Sequence, residues 1–234
     1  MIRAIALLSF WGVSILIVGP ALVIYAAVTG NIAPLYYIAT RLTRWGVLLI
    51  GVKIEVRGLE HLQAGCNYIF MSNHASNLDP PVLIPVIPGR TSVLVKKEVF
   101  RIPVLGTGMR LAELVPVDRG DHEAAIESVQ AAIRVLRKGF HMLIYPEGTR
   151  TGDGRLLPFK KGPFYLAMDS GVPVVPVTIL GTFESWPKTR FALKPGTATV
   201  VFHPPIDPHD FSDRDALMKT VVDAIASSLP PERR

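Results

Sequence analysis

The sequence predicts an α/β protein, a mixed sheet sandwiched by helices, with an N-terminal two-helix motif that associates with a membrane. Two observations carry the sandwich. From Val52 onward short β-rich runs alternate with helical patterns, and polar stretches bearing glycine or proline follow several of the runs. A third observation, the absence of any charge between Arg3 and Arg41, carries the membrane motif. The 234 residues suffice for one well-cored domain, and no Ser/Gly-rich linker, repeat or low-complexity tract divides them. The chain is therefore read as membrane-associating helices over residues 1–50 and an α/β domain over residues 51–234.

Residues 4–28 are long enough to cross a hydrocarbon core of ~30 Å, which takes about 20 apolar residues. A cleaved secretory signal fits less well, because the stretch is too long and no convincing small-residue cleavage site follows it. Pro20 behind Gly19 predicts a kink. Residues 32–50 set Arg41 and Arg44 three apart on one face, with Leu35, Tyr36, Tyr37, Leu48 and Leu49 around them, a pattern more interfacial than spanning. The favoured reading is a pair of helices dipping into the bilayer, arginines at the headgroups, over a full crossing. Were the first helix to cross, Arg41, Arg44 and Lys53 outweigh Arg3, so the expected location is the inner (cytoplasmic) membrane with the α/β domain facing the cytoplasm.

The net charge of +6 suits an anionic lipid surface or an anionic substrate. Nucleic acid is not expected as a partner, because no basic run is interleaved with aromatics. Cys66, the single cysteine, permits no intrachain disulfide and agrees with a cytosolic setting; it is expected in the core near residues 67–71.

Seven strands are expected, over residues 52–57, 68–72, 92–95, 114–117, 142–145, 174–179 and 197–203. Helices fill several of the gaps. Residues 121–138 set Ile126, Val129, Ile133 and Leu136 at 3–4 spacing and stop before Gly139. Ser212-Asp213-Arg214-Asp215 resembles a capping box ahead of Leu217, Val221, Val222 and Ile225. In such a fold the loops leaving strand ends carry the chemistry, and three stand out: NHASNLD, VDRGD and YPEGTRTGDG.

In the first loop His74 and Asp79 stand five positions apart before Pro80-Pro81. On a continuous helix that step would turn them about 140° apart, so they meet only if the chain bends. Pro80 supplies the bend by pushing Asp79 out of the helical region. Two readings stand open. Asp79 accepts a hydrogen bond from one His74 nitrogen, leaving the other to take a proton from a substrate; or Asp79 is an N-cap and His74 a satisfied half-buried histidine.

The third loop gathers glycines at three positions, with Arg150 and, just beyond, Lys160 and Lys161, cations that match phosphate oxygens. Its bland alternative is a surface hairpin with solvated charges. Arg119 in the second loop has its own alternative, an ion pair with Asp118, Asp121 or Glu123. There is no G-x-S-x-G elbow, no G-x-x-x-x-G-K-[ST] phosphate loop and no histidine pair at zinc spacing, and Gly106-Thr107-Gly108 lacks the third glycine of a dinucleotide fingerprint. His61, His122, His141, His203 and His209 have no ligating context in sequence and are read as structural.

Asn73, His74 and Asp79 match N-H-x-x-x-x-D; residues 113–119, ending on Arg119, are close to G-x-[IV]-F-[IV]-[DN]-R; residues 145–151 match [FY]-P-E-G-T-R-[ST], and residues 172–177 V-P-[VI]-[VI]-P-[VI]. In this order the four blocks resemble the signature of the 1-acylglycerol-3-phosphate acyltransferase family, and the run LPFKKG after the third also fits. H-x-x-x-x-D alone is common by chance; four blocks in sequence are specific. The second block departs from the pattern, with Glu113 where glycine is usual and Pro116 where an aromatic is usual.

The resemblance implies a glycerolipid-acyltransferase-like sandwich that moves a fatty acyl group to the free hydroxyl of lysophosphatidate, forming phosphatidate. Its donor co-substrate is an acyl-CoA or acyl carrier protein thioester, with no metal and no other cofactor. His74 is then the general base and Asp79 orients it. Arg119, with Arg150 and Lys160 or Lys161, holds the acceptor phosphate, Glu147, Gly148 and Thr149 shape the acceptor loop, and membrane lipids seat the two helices. Direct attack on the thioester needs no enzyme nucleophile, in keeping with the missing elbow serine. Alternatives are another lysophospholipid, glycerol-3-phosphate or lyso-ornithine lipid as acceptor, a hydrolase built on the same pair, and a non-catalytic lipid-binding protein.

Overall fold

The computed structural model describes residues 1–118 and 122–234, except for the side chains of residues 122–126. Arg119 and Asp121 therefore lie outside the described residues, as do the side chains of His122 and Glu123. All seven expected strands are present: β1 (Val52–Arg57), β2 (Ile69–Ser72), β3 (Thr91–Lys96), β4 (Val115–Val117), β5 (His141–Ile144), β6 (Val174–Leu180) and β7 (Gly196–Phe202). They form one sheet in the order β1-β7-β6-β2-β5-β3-β4. Only β6 and β7 run antiparallel; every other neighbouring pair is parallel, so the sheet is mixed.

β2 and β5 are buried along their whole length, as strands with helices on both faces must be. One face carries Phe70, Leu143, Val175 and Val177. On it lie α1 (Ile2–Thr29) and α2 (Ala33–Leu49), and Ala4, Leu7, Val47 and Ile50 belong to the same core. The alternate residues Ile69, Met71, Met142 and Ile144 face α5 (His122–Arg137), α6 (Gly162–Ser170) and α8 (Arg214–Ser227). Each large apolar side chain so buried contributes about 1.5–3 kcal/mol.

Residues 1–50 and 51–234 thus share one core. Arg3 Nη1 donates to the Ile50 carbonyl (2.7 Å), closing the start of α1 onto the end of α2. Gly46 lets the Trp11 indole approach, since a Cβ there would stand 2.3 Å from its nitrogen. Thr91 N–H donates to the Tyr36 hydroxyl (2.7 Å) and ties α2 to β3. α1 continues helically through Pro20 and is long and apolar enough to cross a membrane. The outer faces of the pair expose Ile2, Leu16, Ile17, Val28, Trp45 and Leu49.

Three local expectations change. Cys66 is exposed, because it follows a turn in which Gly65 takes φ 82° and precedes the buried strand. α8 is capped by Asp213, whose carboxylate accepts the Ala216 N–H (2.8 Å), because Asp213 is extended and the helix starts at Arg214, one register later than a box on Ser212 requires. His209 does meet a carboxylate, Asp207 (2.7 Å), although the pair is largely exposed. Glu113 takes the left-handed conformation (φ 60°) that a glycine would adopt freely, at a cost of about 1–2 kcal/mol. Its carbonyl accepts the Ser92 hydroxyl (2.6 Å) and its carboxylate the Lys138 ammonium (2.7 Å), which hold it there.

His141, the first residue of β5, is buried, and Tyr68 N–H donates to its Nδ1 (3.1 Å), a bond only the neutral ring accepts. Burial holds its pKa below the usual 6.5, against the opposing pull of the Pro88 carbonyl. A depressed histidine gives stability that is complete above the unfolded value and is lost as pH falls through the folded one. His141 should therefore lower the melting temperature as pH falls below about 6.5, an effect read as the difference between wild type and His141→Asn, in which the opposite slope of the Glu147 carboxyl cancels. His203, depressed by burial and by His61, leaves a residual slope of the same sign.

Candidate active site

The site forms where the chain leaves the carboxyl ends of β2 and β5. Asn73 follows β2 and clamps the loop to β6, its Nδ2 donating to the Ile179 carbonyl (3.0 Å) and its Oδ1 accepting the Ile179 N–H (2.8 Å). The next residue, His74, places Nδ1 2.8 Å from Asp79 Oδ2. The same oxygen accepts the Ala75 and Ser76 N–H groups, both at 2.7 Å, and Oδ1 accepts the Thr182 hydroxyl at 2.6 Å. Asp79 is fully buried, whereas the His74 side chain keeps 12% of its surface exposed.

Asp79 is not an N-cap. It begins α3 (Asp79–Leu83), its carboxylate bonds amides that precede it, and the two residues after it are prolines with no N–H to cap. With Nδ1–H given to the carboxylate, Nε2 carries the lone pair.

Glu147, two residues past Tyr145, braces the site from beneath. Its Oε1 accepts the His74 N–H (2.6 Å) and its Oε2 the Leu157 N–H (3.1 Å). Burial pushes its carboxyl from 4.5 up to about 7, against these two amides and assisted by the Asp79 charge. The loop after Glu147 folds back on the first: Thr151 N–H donates to the His74 carbonyl (3.0 Å) and Lys160 N–H to the Pro146 carbonyl (2.8 Å). Gly148 turns with φ 71°, and a Cβ there would stand 2.7 Å from the Lys160 side chain. Thr149, Lys160 and Lys161 are exposed and Arg150 half-buried. Among the described residues none of these three cations has an ion pair.

The fold therefore brings together His74, Asp79, Glu147 and Gly148, with Glu147 turned inward and the Lys160 side chain beside Gly148, while Lys161 acts on Asp215 of α8. Three positioning contacts had no local signal. Thr182, at the start of α7 (Thr182–Ser185), meets Asp79 across 103 residues; Asn73 meets Ile179 across 106; and the Tyr145 ring stacks on His74. Only the alternation of strands and loops hinted that β6 lies beside β2.

The family model described as Acyltransferase matches residues 53–180. The chain is 40% identical over 191 residues to a 1-acyl-sn-glycerol-3-phosphate acyltransferase of Limnanthes alba, covering 80% of this chain and 67% of that one. It is 33% identical to the human 1-acyl-sn-glycerol-3-phosphate acyltransferase alpha, covering 68% and 56%. The crystal structure of the 1-acyl-sn-glycerophosphate (LPA) acyltransferase PlsC from Thermotoga maritima superposes with a TM-score of 0.83 at 26% identity, covering 97% of this chain and 92% of that one. The chain belongs to the Acyltransferase family and, within it, to the 1-acylglycerol-3-phosphate acyltransferases.

Proposed function

We propose that this enzyme transfers a fatty acyl group from a thioester to the free hydroxyl of lysophosphatidate, yielding phosphatidate. His74 Nε2 takes the hydroxyl proton as the oxygen attacks the thioester carbonyl. The imidazolium then gives that proton to the departing thiolate. Such general-base assistance is worth on the order of 10²–10⁴-fold. The observation that carries the reading is the buried Asp79 fixing Nδ1–H, so that Nε2 is the basic nitrogen of a ring that keeps part of its surface exposed. Arg150, Lys160 and Lys161, free of ion pairs among the described residues, supply charge for the acceptor phosphate, with Thr149 and Gly148 on the loop between them and Glu147. Names of relatives that specify 1-acyl-sn-glycerol-3-phosphate support the same acceptor.

Purified protein given acyl-CoA or acyl carrier protein thioesters should acylate lysophosphatidate faster than glycerol-3-phosphate, other lysophospholipids or lyso-ornithine lipid. Thioester hydrolysis without acceptor turnover would mark a hydrolase, and no consumption of donor a lipid-binding protein. In the same assay Arg119→Ala should raise the KM for a phosphate-bearing acceptor more than that for the donor, since a contact to phosphate is already made in the ground state. Equal effects on both substrates would reduce Arg119 to an ion-pair residue.

The exposed apolar faces of α1 and α2 support seating on a membrane, and the excess of Arg41, Arg44 and Lys53 over Arg3 supports the inner membrane with the sheet domain in the cytoplasm. Deleting α1 would also strip Ala4 and Leu7 from the core, so the cleaner variant is Leu16→Asp with Ile17→Asp, which alters only exposed positions. It should shift the protein from sedimenting vesicles to the supernatant while the melting transition persists. Undiminished sedimentation would remove α1 from membrane binding.

A further inference from the structure

We propose that Tyr145 is a positioning residue whose ring face stabilises the protonated form of His74. The proposal rests on the reading of His74 as general base. The two rings stack with centroids 4.1 Å apart and planes 21° from parallel. Asp79, at the Nδ1 edge of the imidazole, is heavily shared: Oδ2 takes three N–H bonds, from His74, Ala75 and Ser76, and Oδ1 takes the Thr182 hydroxyl. The carboxylate that must balance the imidazolium is thus already engaged by three other donors.

The face of an aromatic ring carries partial negative charge and attracts a cation within about 6 Å of its centroid. A proton arriving at Nε2 puts a positive charge on a ring well inside that distance, in a site where burial limits screening by water. The neutral imidazole gains no such attraction, so the effect falls on the charged state alone. Tyr145 offers its face and not its hydroxyl, which is buried without a hydrogen-bond partner among the described residues. Burial, followed by the Asp79 charge, also pushes the phenol well above its ordinary value, so Tyr145 does not compete for the proton.

The test drains the ring face without changing its shape. Starting from Tyr145→Phe, one, two and three fluorines are introduced at position 145, and the His74 titration is followed by NMR of labelled imidazole beside the pH dependence of kcat/KM. The carboxyl groups beside His74 are Asp79 and Glu147, and neither changes along the series, so the His74 titration and the acidic limb should move down together, by roughly 0.5–1.5 pH units at its end. Tyr145→Leu should move in the same direction, with Tyr145→Phe lying between it and the wild type. A titration that stays in place along the fluorine series overturns the proposal. Failure of the underlying reading looks different: His74→Ala would keep its turnover, while the NMR titration would still report on the ring.

Discussion

Asp79→Asn is expected to lose acyl transfer by roughly 10²-fold or more while remaining folded. The geometry says which part of the carboxylate is missed. An amide oxygen in the place of Oδ2 still accepts the Ala75 and Ser76 N–H groups, and the amide nitrogen in the place of Oδ1 faces the Thr182 hydroxyl, which can turn to accept. The reverse orientation sets an NH₂ against two backbone N–H groups, so the loop itself selects the orientation that keeps Nδ1–H on His74. What disappears is negative charge beside the imidazolium. The loss therefore falls short of the about 10⁴-fold seen when a serine-protease triad also acquires the wrong tautomer. Stability should fall by about 1–3 kcal/mol, because four bonds to a buried carboxylate become neutral ones. Near-normal kcat in a folded Asp79→Asn protein would leave the aspartate as a loop tie with no share in proton transfer.

Glu147→Ala is expected to be strongly destabilising. It leaves the His74 and Leu157 N–H groups buried without acceptors, at about 1–3 kcal/mol each, and releases the backbone of the general base. Turnover and melting temperature should fall together. Glu147→Gln isolates the ionisation. The folded carboxyl titrates at about 7 against 4.5, so its contribution is fully present below about pH 4.5 and is lost as pH rises to about 7, by at most about 3 kcal/mol. The stability advantage of wild type over Glu147→Gln should accordingly shrink over that window. An advantage constant with pH would mean that the carboxyl is not raised. Both variants are compared by thermal melts across pH, where the His141 slope is common to wild type and variant and cancels.

The strands were legible because a sheet covered on both faces writes itself as short apolar runs, as in Ile69–Ser72 and His141–Ile144. The pairing of His74 with Asp79 was legible as one of two readings, and the choice turned on where the carboxylate points, back to His74 and the Ala75 and Ser76 amides, while the Val82 N–H is taken by the Leu78 carbonyl. The N-terminal helices were only half legible. Hydropathy marks Ala4, Leu7, Val47 and Leu16 alike as apolar, but the first three meet the sheet and the last meets the surroundings, a distinction that depends on which face of α1 packs. Thr182 and Tyr145 could not be assigned, since one contact spans 103 residues and the other depends on how close two strand ends lie.

The bond from Thr182 to Asp79 also sets a clock during synthesis. When Asp79 leaves the ribosome, the hydroxyl that completes the carboxylate's shell follows 103 residues behind it. The Ile179 peptide unit that clamps Asn73 lags by 106. At about 5–20 residues per second the nascent chain carries its base and acid unpinned for roughly 5–20 s. During that interval its first helices, already translated, are free to find lipid before the centre beside them can act on it.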